Sequence, residues 1–444
     1  MKFKGVCSLF LLSCCTSVMS ANYMGINESS STINAPHHAA LQEFGLKDVR
    51  ALIQQNRSVI IQQINRQVAN ENLQKQKAVR LPDLHVNGDG YLSHKLPLTS
   101  PRESDESFLY HFNVESEFDL YTGGRHTQAI NRLKNEHQLS EEKLKAVTEE
   151  IELQAYILLY DIHRNIKYRE FVQSSIHLRE KEYERIDQLF KNGLVLKSDL
   201  LRSKLYITNL QKDEIAIKNS IDILSDKLCV LLGLKDRYAI RPSLTTDLNY
   251  KIVESFDALF QYALMHSPEL QMHHTNHEHE KIVLKEIHAS RMPQLKLYGK
   301  YGVGSPFSTM NFKHQLGGEI GAKVSIPLSA FYKSKHAVRA QKEIIKRQEL
   351  VLTDEEEKLK NSLYELYTRY HESLINIDRA LEKINLSKES YRILNNSYFN
   401  QQALLIDVLE SETQSMEASF EWVEAVVDSQ KYYWALKKLC GYLQ

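Results

Sequence analysis

Two stretches of this chain, Arg125 to Asn192 and Lys333 to Cys440, contain neither glycine nor proline. With no residue to break or bend a helix, the first run alone predicts a helix ~100 Å long at about 1.5 Å per residue. Within it Leu144, Val147, Ile151, Ala155, Leu158, Ile162 and Ile166 step 3-4-4-3-4-4. Leu363, Leu366, Tyr370, Leu374, Ile377 and Leu381 repeat that stripe. An eleven-residue period does not impose the left-handed supercoil of heptads. It predicts nearly straight helices packed side by side, with the two stripes as core.

The repetition is general. LPDLHVNGDGY at Leu81 aligns with MPQLKLYGKYG at Met292, an offset of 211, and NRSV at Asn56 meets SPEL at Ser267 at the same offset. Downstream the offset is 208: Asn192 meets Asn400, Asp199 meets Asp407 and Gly233 meets Gly441. Two copies of one plan, at residues 46–234 and 257–443, are therefore expected, separated by a linker at 235–256. Each copy reads as a helical stretch, two strands, then very long helix.

The strands show as period-2 alternation. Phe108, Tyr110, Phe112, Val114, Phe118 and Leu120 share one face, opposite Leu109, His111, Asn113, Glu115, Glu117 and Asp119. Leu84, Val86, Gly88 and Gly90 oppose Asp83, His85, Asn87 and Asp89. The second copy follows with Leu295, Leu297 and Tyr301, then Ile320, Ala322, Val324 and Ile326. Strands are expected at 83–92, 108–121, 294–303 and 316–327. Alternation alone also fits a half-buried soluble sheet. Yet four strands with one apolar and one polar wall do not close a barrel, for which about eight is the practical minimum. Left open, they expose two edges. Closure by three chains gives twelve strands and resolves both problems, with the helices as a second, longer tube. The reading is an oligomeric duct.

Composition narrows the alternatives. Among 444 residues, 56 Lys and Arg balance 56 Asp and Glu, so nothing argues for nucleic acid. No apolar run after the leader is long enough for a transmembrane helix, whereas a membrane β-barrel stays open. The start, MKFKGVCSLFLLSCCTSVMSA, reads as a secretory leader at 1–21. Two cleavages fit it: one near Ser20 or Ala21, or one before Cys14 at the lipobox-like Leu11-Leu12-Ser13-Cys14, leaving a lipid on Cys14. A Ser/Asn-rich linker follows at 22–45. Cys229 and Cys440 read as buried thiols, with a disulfide as the alternative. His273, His274, His277 and His279 in MHHTNHEHE read as a polar helix face rather than a metal site, although i,i+4 imidazoles can share an ion. No cofactor, metal or enzymatic activity is expected, since G-x-S-x-G, H-E-x-x-H, a phosphate loop and a paired-Cys site are all missing from the sequence.

Across 46–443 the chain resembles the TolC-type outer-membrane channels of Gram-negative efflux pumps and type I secretion systems. The resemblance is carried by the duplication, the P-x-L strand starts at Pro82 and Pro293, YTGGR at Tyr121, LLG at Leu231 and SIPL at Ser325, in that order and spacing. It implies a mainly α protein with membrane β: a homotrimer whose four strands per chain form a 12-stranded β-barrel in outer-membrane lipid, continued by a long α-helical barrel across the periplasm. It also implies a passive exit duct docked to a periplasmic adaptor (membrane fusion) protein and an inner-membrane pump of RND, ABC or MFS type. The alternative is a non-channel periplasmic coiled-coil adaptor or scaffold, which would normally show one hairpin and no duplicated strand pair.

Two stretches, FKNGLVLKSDLLRSK from Phe190 and FNQQALLIDVLESET from Phe399, match the family's periplasmic tips. The resemblance gives Gly193, Leu194, Gln401 and Ala403 to the helix tips and adaptor contact. It gives Ser198, Asp199, Tyr398, Asp407 and Glu410 to the tunnel-entrance gate. Asp407 and Glu410, spaced i,i+3, share a helix face, so a trimer would gather six carboxylates around its axis and favour cations. Two departures matter. Gln401 stands where the family usually has glycine, which predicts a turn that differs or moves by a residue. Ala403 stands where the best-known gate places an arginine, which leaves that gate's Arg–Asp bond without its cation.

Overall fold

A computed structural model describes residues 41–95, 105–244, 255–304 and 315–441. The Cys14 region, most of the 22–45 linker, part of the 235–256 linker and residues 96–104 and 305–314 lie outside them. The elements run β1 (Leu41–Phe44), α1 (Leu46–Leu52), α2 (Arg57–Ala78), β2 (Asp83–Lys95), β3 (Asp105–Tyr121), α3 (Arg125–Lys191) and α4 (Lys197–Leu231). Then come β4 (Ala239–Pro242), α5 (Phe256–His266), α6 (Pro268–Ala289), β5 (Gln294–Gly304), β6 (Gln315–Ser325), α7 (Leu328–Lys333), α8 (Lys335–Phe399) and α9 (Leu405–Leu439). The duplication is exact in places. Both ends of α2 and α6 differ by 211 (57 to 268, 78 to 289), and both ends of α4 and α9 by 208 (197 to 405, 231 to 439).

Local chemistry sets these ends. Asn56 caps α2 by accepting from the amides of Ser58 and Val59 at 2.7 and 3.3 Å. Its Nδ2 donates to the Leu231 carbonyl at 2.6 Å, tying the start of α2 to the end of α4. At the matching place in the second copy Ser267 precedes Pro268, a residue preorganised for the first helical position. β6 stops at Ser325, short of Pro327, because proline has no amide for the ladder.

The four long helices pack along the predicted stripe. Ile151, Ala155 and Ile162 are buried, with Leu144, Val147, Leu158 and Ile166 against them. Leu363 and Tyr370 anchor the second cluster, joined by Leu366 and Leu374. Leu381 departs from the expected core: it is half exposed, because the stripe drifts out of the helix seam there. Cys229 and Cys440 are buried in different clusters. Two short strands from segments read as linkers pair in parallel, Leu41–Phe44 with Ala239–Pro242. They are too short to show as alternation.

The larger sheet has the antiparallel order β2-β3-β5-β6, leaving β2 and β6 as edges. Directly opposed residues share a face, and the register joins the apolar sets of all four strands: Val86 faces Val114, Val114 faces Tyr301, and Leu297 faces Ala322. That wall is bare. Leu84, Val86, Phe112, Val114, Tyr301, Leu316 and Val324 are exposed, and Ile320 is 93% exposed. The other wall is charged: His111 lies 3.3 Å from Asp89, Asn87 donates to Glu115 at 3.2 Å, and Lys296 meets Asp119 at 3.3 Å. Tyr298 lies on this charged wall, its ring filling the space over Gly321. Among the described residues no helix is long and apolar enough to cross a membrane.

Candidate functional site at the two helix turns

The α3–α4 and α8–α9 hairpins turn by the same hydrogen bonds. At the first, the Leu194 amide donates to the Leu189 carbonyl at 2.9 Å and the Gly193 amide to Phe190 at 2.9 Å. This double closure needs a left-handed residue, and Gly193 supplies it with φ +72°. At the second, Gln402 donates to Ser397 at 2.8 Å and Gln401 to Tyr398 at 2.9 Å. The turn does not move. Gln401 itself takes φ +60°, the only positive φ outside glycine among the described residues. The expectation of a shifted turn is thus corrected: two closing bonds outweigh the strain of one side chain in the left-handed region.

Both returning helices start from an extended leucine, Leu196 and Leu404, with no side-chain cap. An aspartate stands in each first turn, where the helix dipole favours it. Asp407 accepts from the Leu404 amide at 3.3 Å. Asp199 has no such bond. Ser198, Asp407, Glu410, Leu194, Leu196 and Leu404 are exposed, and Asp199 and Ala403 are half-buried. Ala403 brings no charge to Asp199.

The turns are held against each other by an apolar cluster. Ile186, Tyr398, Leu405, Val408 and Leu409 are buried in it, with Val195, Leu200, Tyr206, Tyr391, Leu394 and Phe399 around them. The Arg185 guanidinium lies 3.6 Å from the Phe399 ring centroid. Tyr398 is deep in this cluster, and its hydroxyl finds no hydrogen-bond partner among the described residues. Burial first, then the nearby negative charge of Asp199, push its pKa up to about 12. The structure therefore brings Tyr398 and Asp199 near each other without bonding them. Asp407 and Glu410 share the outward face of α9, and Ser198 bonds to neither.

One cluster escaped the sequence reading. About four helical turns from Gly193, Arg179 on α3 is 1% exposed. Its Nε donates to Glu412 on α9 and its Nη1 to Glu182 at 2.5 Å. Tyr206 on α4 and Tyr391 on α8 flank it at 5.7 and 5.4 Å. Tyr391 and Asn395 donate to Glu182 at 2.9 and 3.1 Å, and the Tyr206 hydroxyl meets that of Thr413 at 3.1 Å. All four long helices contribute. In the sequence these residues are a few among many charges and tyrosines on helices, and no spacing marks them.

The α6 histidines gather no ligand set: among the described residues no group of three or more His, Cys, Asp or Glu is placed to hold a metal. His277 is buried, 3.8 Å from Glu349.

No sequence-family description and no curated protein matches the chain. Solved structures do. The outer-membrane protein VceC from Vibrio cholerae superimposes with a TM-score of 0.73 at 14% identity, covering 89% of this chain and 96% of that one. The open state of the MtrE outer-membrane channel from Neisseria gonorrhoeae gives 0.72 at 15%, covering 90% and 89%. CusC, described as undergoing conformational changes on folding and transmembrane channel formation, gives 0.79 at 13%, covering 89% and 92%. The fold is that of TolC-type outer-membrane channels over nearly its whole length.

Proposed function

We propose that this chain is one third of a homotrimeric exit duct in the outer membrane, reaching into the periplasm. One observation carries the reading: a four-stranded sheet with two open edges, one bare apolar wall and one charged wall, leading into helices of 67 and 65 residues, the second by way of the short α7. A wall holding Ile320 at 93% exposure suits lipid rather than water. Three copies would pair β2 of one with β6 of the next, closing twelve strands around the charged wall. Exposed apolar residues on the long helices, such as Leu205, Ile215 and Ile223 on α4 and Ile375, Leu386 and Ile393 on α8, would be covered in the same assembly. The likeness to known outer-membrane channels supports this reading over that of a scaffold.

In this account the duct is passive and uses no cofactor. A periplasmic adaptor would engage the turns at Gly193 and Gln401, where Leu194, Leu196 and Leu404 stand exposed. An inner-membrane pump would supply energy. Asp407 and Glu410, brought together around the axis, would favour cations at the entrance. Purification from membranes tests the assembly. A species of three chains that stays with the outer membrane through salt and alkaline washing is expected. A monomer that washes off would remove the proposal.

A further inference from the structure

The Arg179 cluster has a position that neither packing nor the acidic entrance explains. Taking a guanidinium and two carboxylates out of water is costly, and well-packed apolar residues of similar volume often serve stability as well or better. What a buried ion pair adds is a fixed register, since any displacement leaves a charge buried alone. Apart from the Arg179–Glu182 pair within α3, the bonds run between the hairpins. Arg179 on α3 holds Glu412 on α9, Glu182 on α3 holds Tyr391 and Asn395 on α8, and Tyr206 on α4 meets Thr413 on α9. The apolar cluster below, around Ile186 and Val408, would tolerate a small slide or rotation because apolar contact is non-directional. The ionic one would not. Glu412 lies two residues beyond Glu410 on the same helix, so whatever fixes Glu412 also fixes the acidic pair.

We propose that Arg179 is a positioning residue that locks the α8–α9 hairpin in register against α3–α4, and that widening the duct entrance requires breaking its bond to Glu412. The proposal rests on the duct reading. It also answers the missing arginine at Ala403: the cation that holds the turns sits on the other hairpin, buried within one chain.

The test uses the full-length assembly in planar bilayers. The triple variant Arg179→Met, Glu182→Leu, Glu412→Leu removes the cluster without leaving a lone charge. It is expected to assemble and to conduct at least threefold more than wild type, with the concentration of divalent cation giving half block raised about tenfold as the acidic pair loosens. Wild-type conductance and wild-type block from an assembled triple variant would overturn the proposal. Should that variant not assemble, Arg179→Lys decides the matter, since it keeps the charge but not the planar fork. At least a twofold rise supports the lock, and no change refutes it. A wild-type protein that does not conduct would fail the duct reading itself, separately from the lock.

Discussion

Four helix ends in this chain carry a residue at positive φ in the closing turn, yet the three that are glycine should respond differently to a single added methyl. At Gly193, φ is +72° and a Cβ would meet nothing within 4 Å, so Gly193→Ala meets backbone strain alone. That strain is about 1–2 kcal/mol, and the reduced freedom of the unfolded chain returns about 0.5–1 kcal/mol of it. The net cost is below about 1.5 kcal/mol. At Gly233 φ is +71°, but a Cβ would stand 2.6 Å from the Gln55 carbonyl oxygen and 3.2 Å from its carbon. The added atom must push on the backbone that leads into the Asn56 cap, so an overpacking cost of about 1–3 kcal/mol adds to the strain. Gly441, where a Cβ would stand 2.4 Å from the His266 carbonyl oxygen, is its counterpart in the second copy. Gln401 runs the other way: Gln401→Gly should stabilise its turn by about 0.5–1 kcal/mol, the strain released less the entropy glycine adds. Native-state hydrogen exchange at the closing amides of Leu194, Leu234 and Gln402 reads each turn separately, with a tenfold change in rate for about 1.4 kcal/mol. Equal losses for Gly193→Ala and Gly233→Ala, or faster exchange at Gln402 in Gln401→Gly, would refute the reasoning.

Other predictions follow from single sites. Glu149 is 3% exposed, its carboxylate oxygens have no hydrogen-bond partner among the described residues, and burial raises its pKa from 4.5 to about 7 against the pull of Lys145 and Lys438. A carboxyl raised by folding favours the fold while protonated, so its contribution is whole below about pH 4.5 and lost as pH climbs through about 7, by about 3 kcal/mol. Glu149→Gln should therefore unfold at a higher denaturant concentration than wild type at pH 8 but not at pH 4.5; equal shifts at both would contradict this. Leu159→Ala, at a fully buried site, should cost about 2–5 kcal/mol by the same denaturation assay. Asp407→Ala with Glu410→Ala should weaken cation selectivity and divalent block without harming assembly, since both side chains are exposed. Unchanged selectivity in an assembled double variant would remove the acidic ring.

Much of the fold could be read from the sequence because its signals are periodic. The 211 and 208 offsets reappear as identical shifts of helix ends, and alternation placed Val86, Val114 and Tyr301 on one wall before their register was known. Leu381 was misplaced because a fixed period was extended past the point where the seam turns away. At the turns, the positions were legible and the bonding was not. Gln401 holds a conformation that sequence assigns to glycine because its two closing bonds are backbone bonds, which carry no residue label. The Arg179 cluster was invisible for a related reason. Arg179 and Glu412 lie 233 positions apart, and an arginine on a helix looks solvated until its neighbours are known.

The most direct test of the duct is single-channel recording of the purified protein in a planar bilayer at neutral pH, with and without millimolar divalent cation. The account predicts discrete, cation-selective openings that divalent cations reduce, from an assembly of three chains. A well-folded assembly that inserts and passes no current would contradict it.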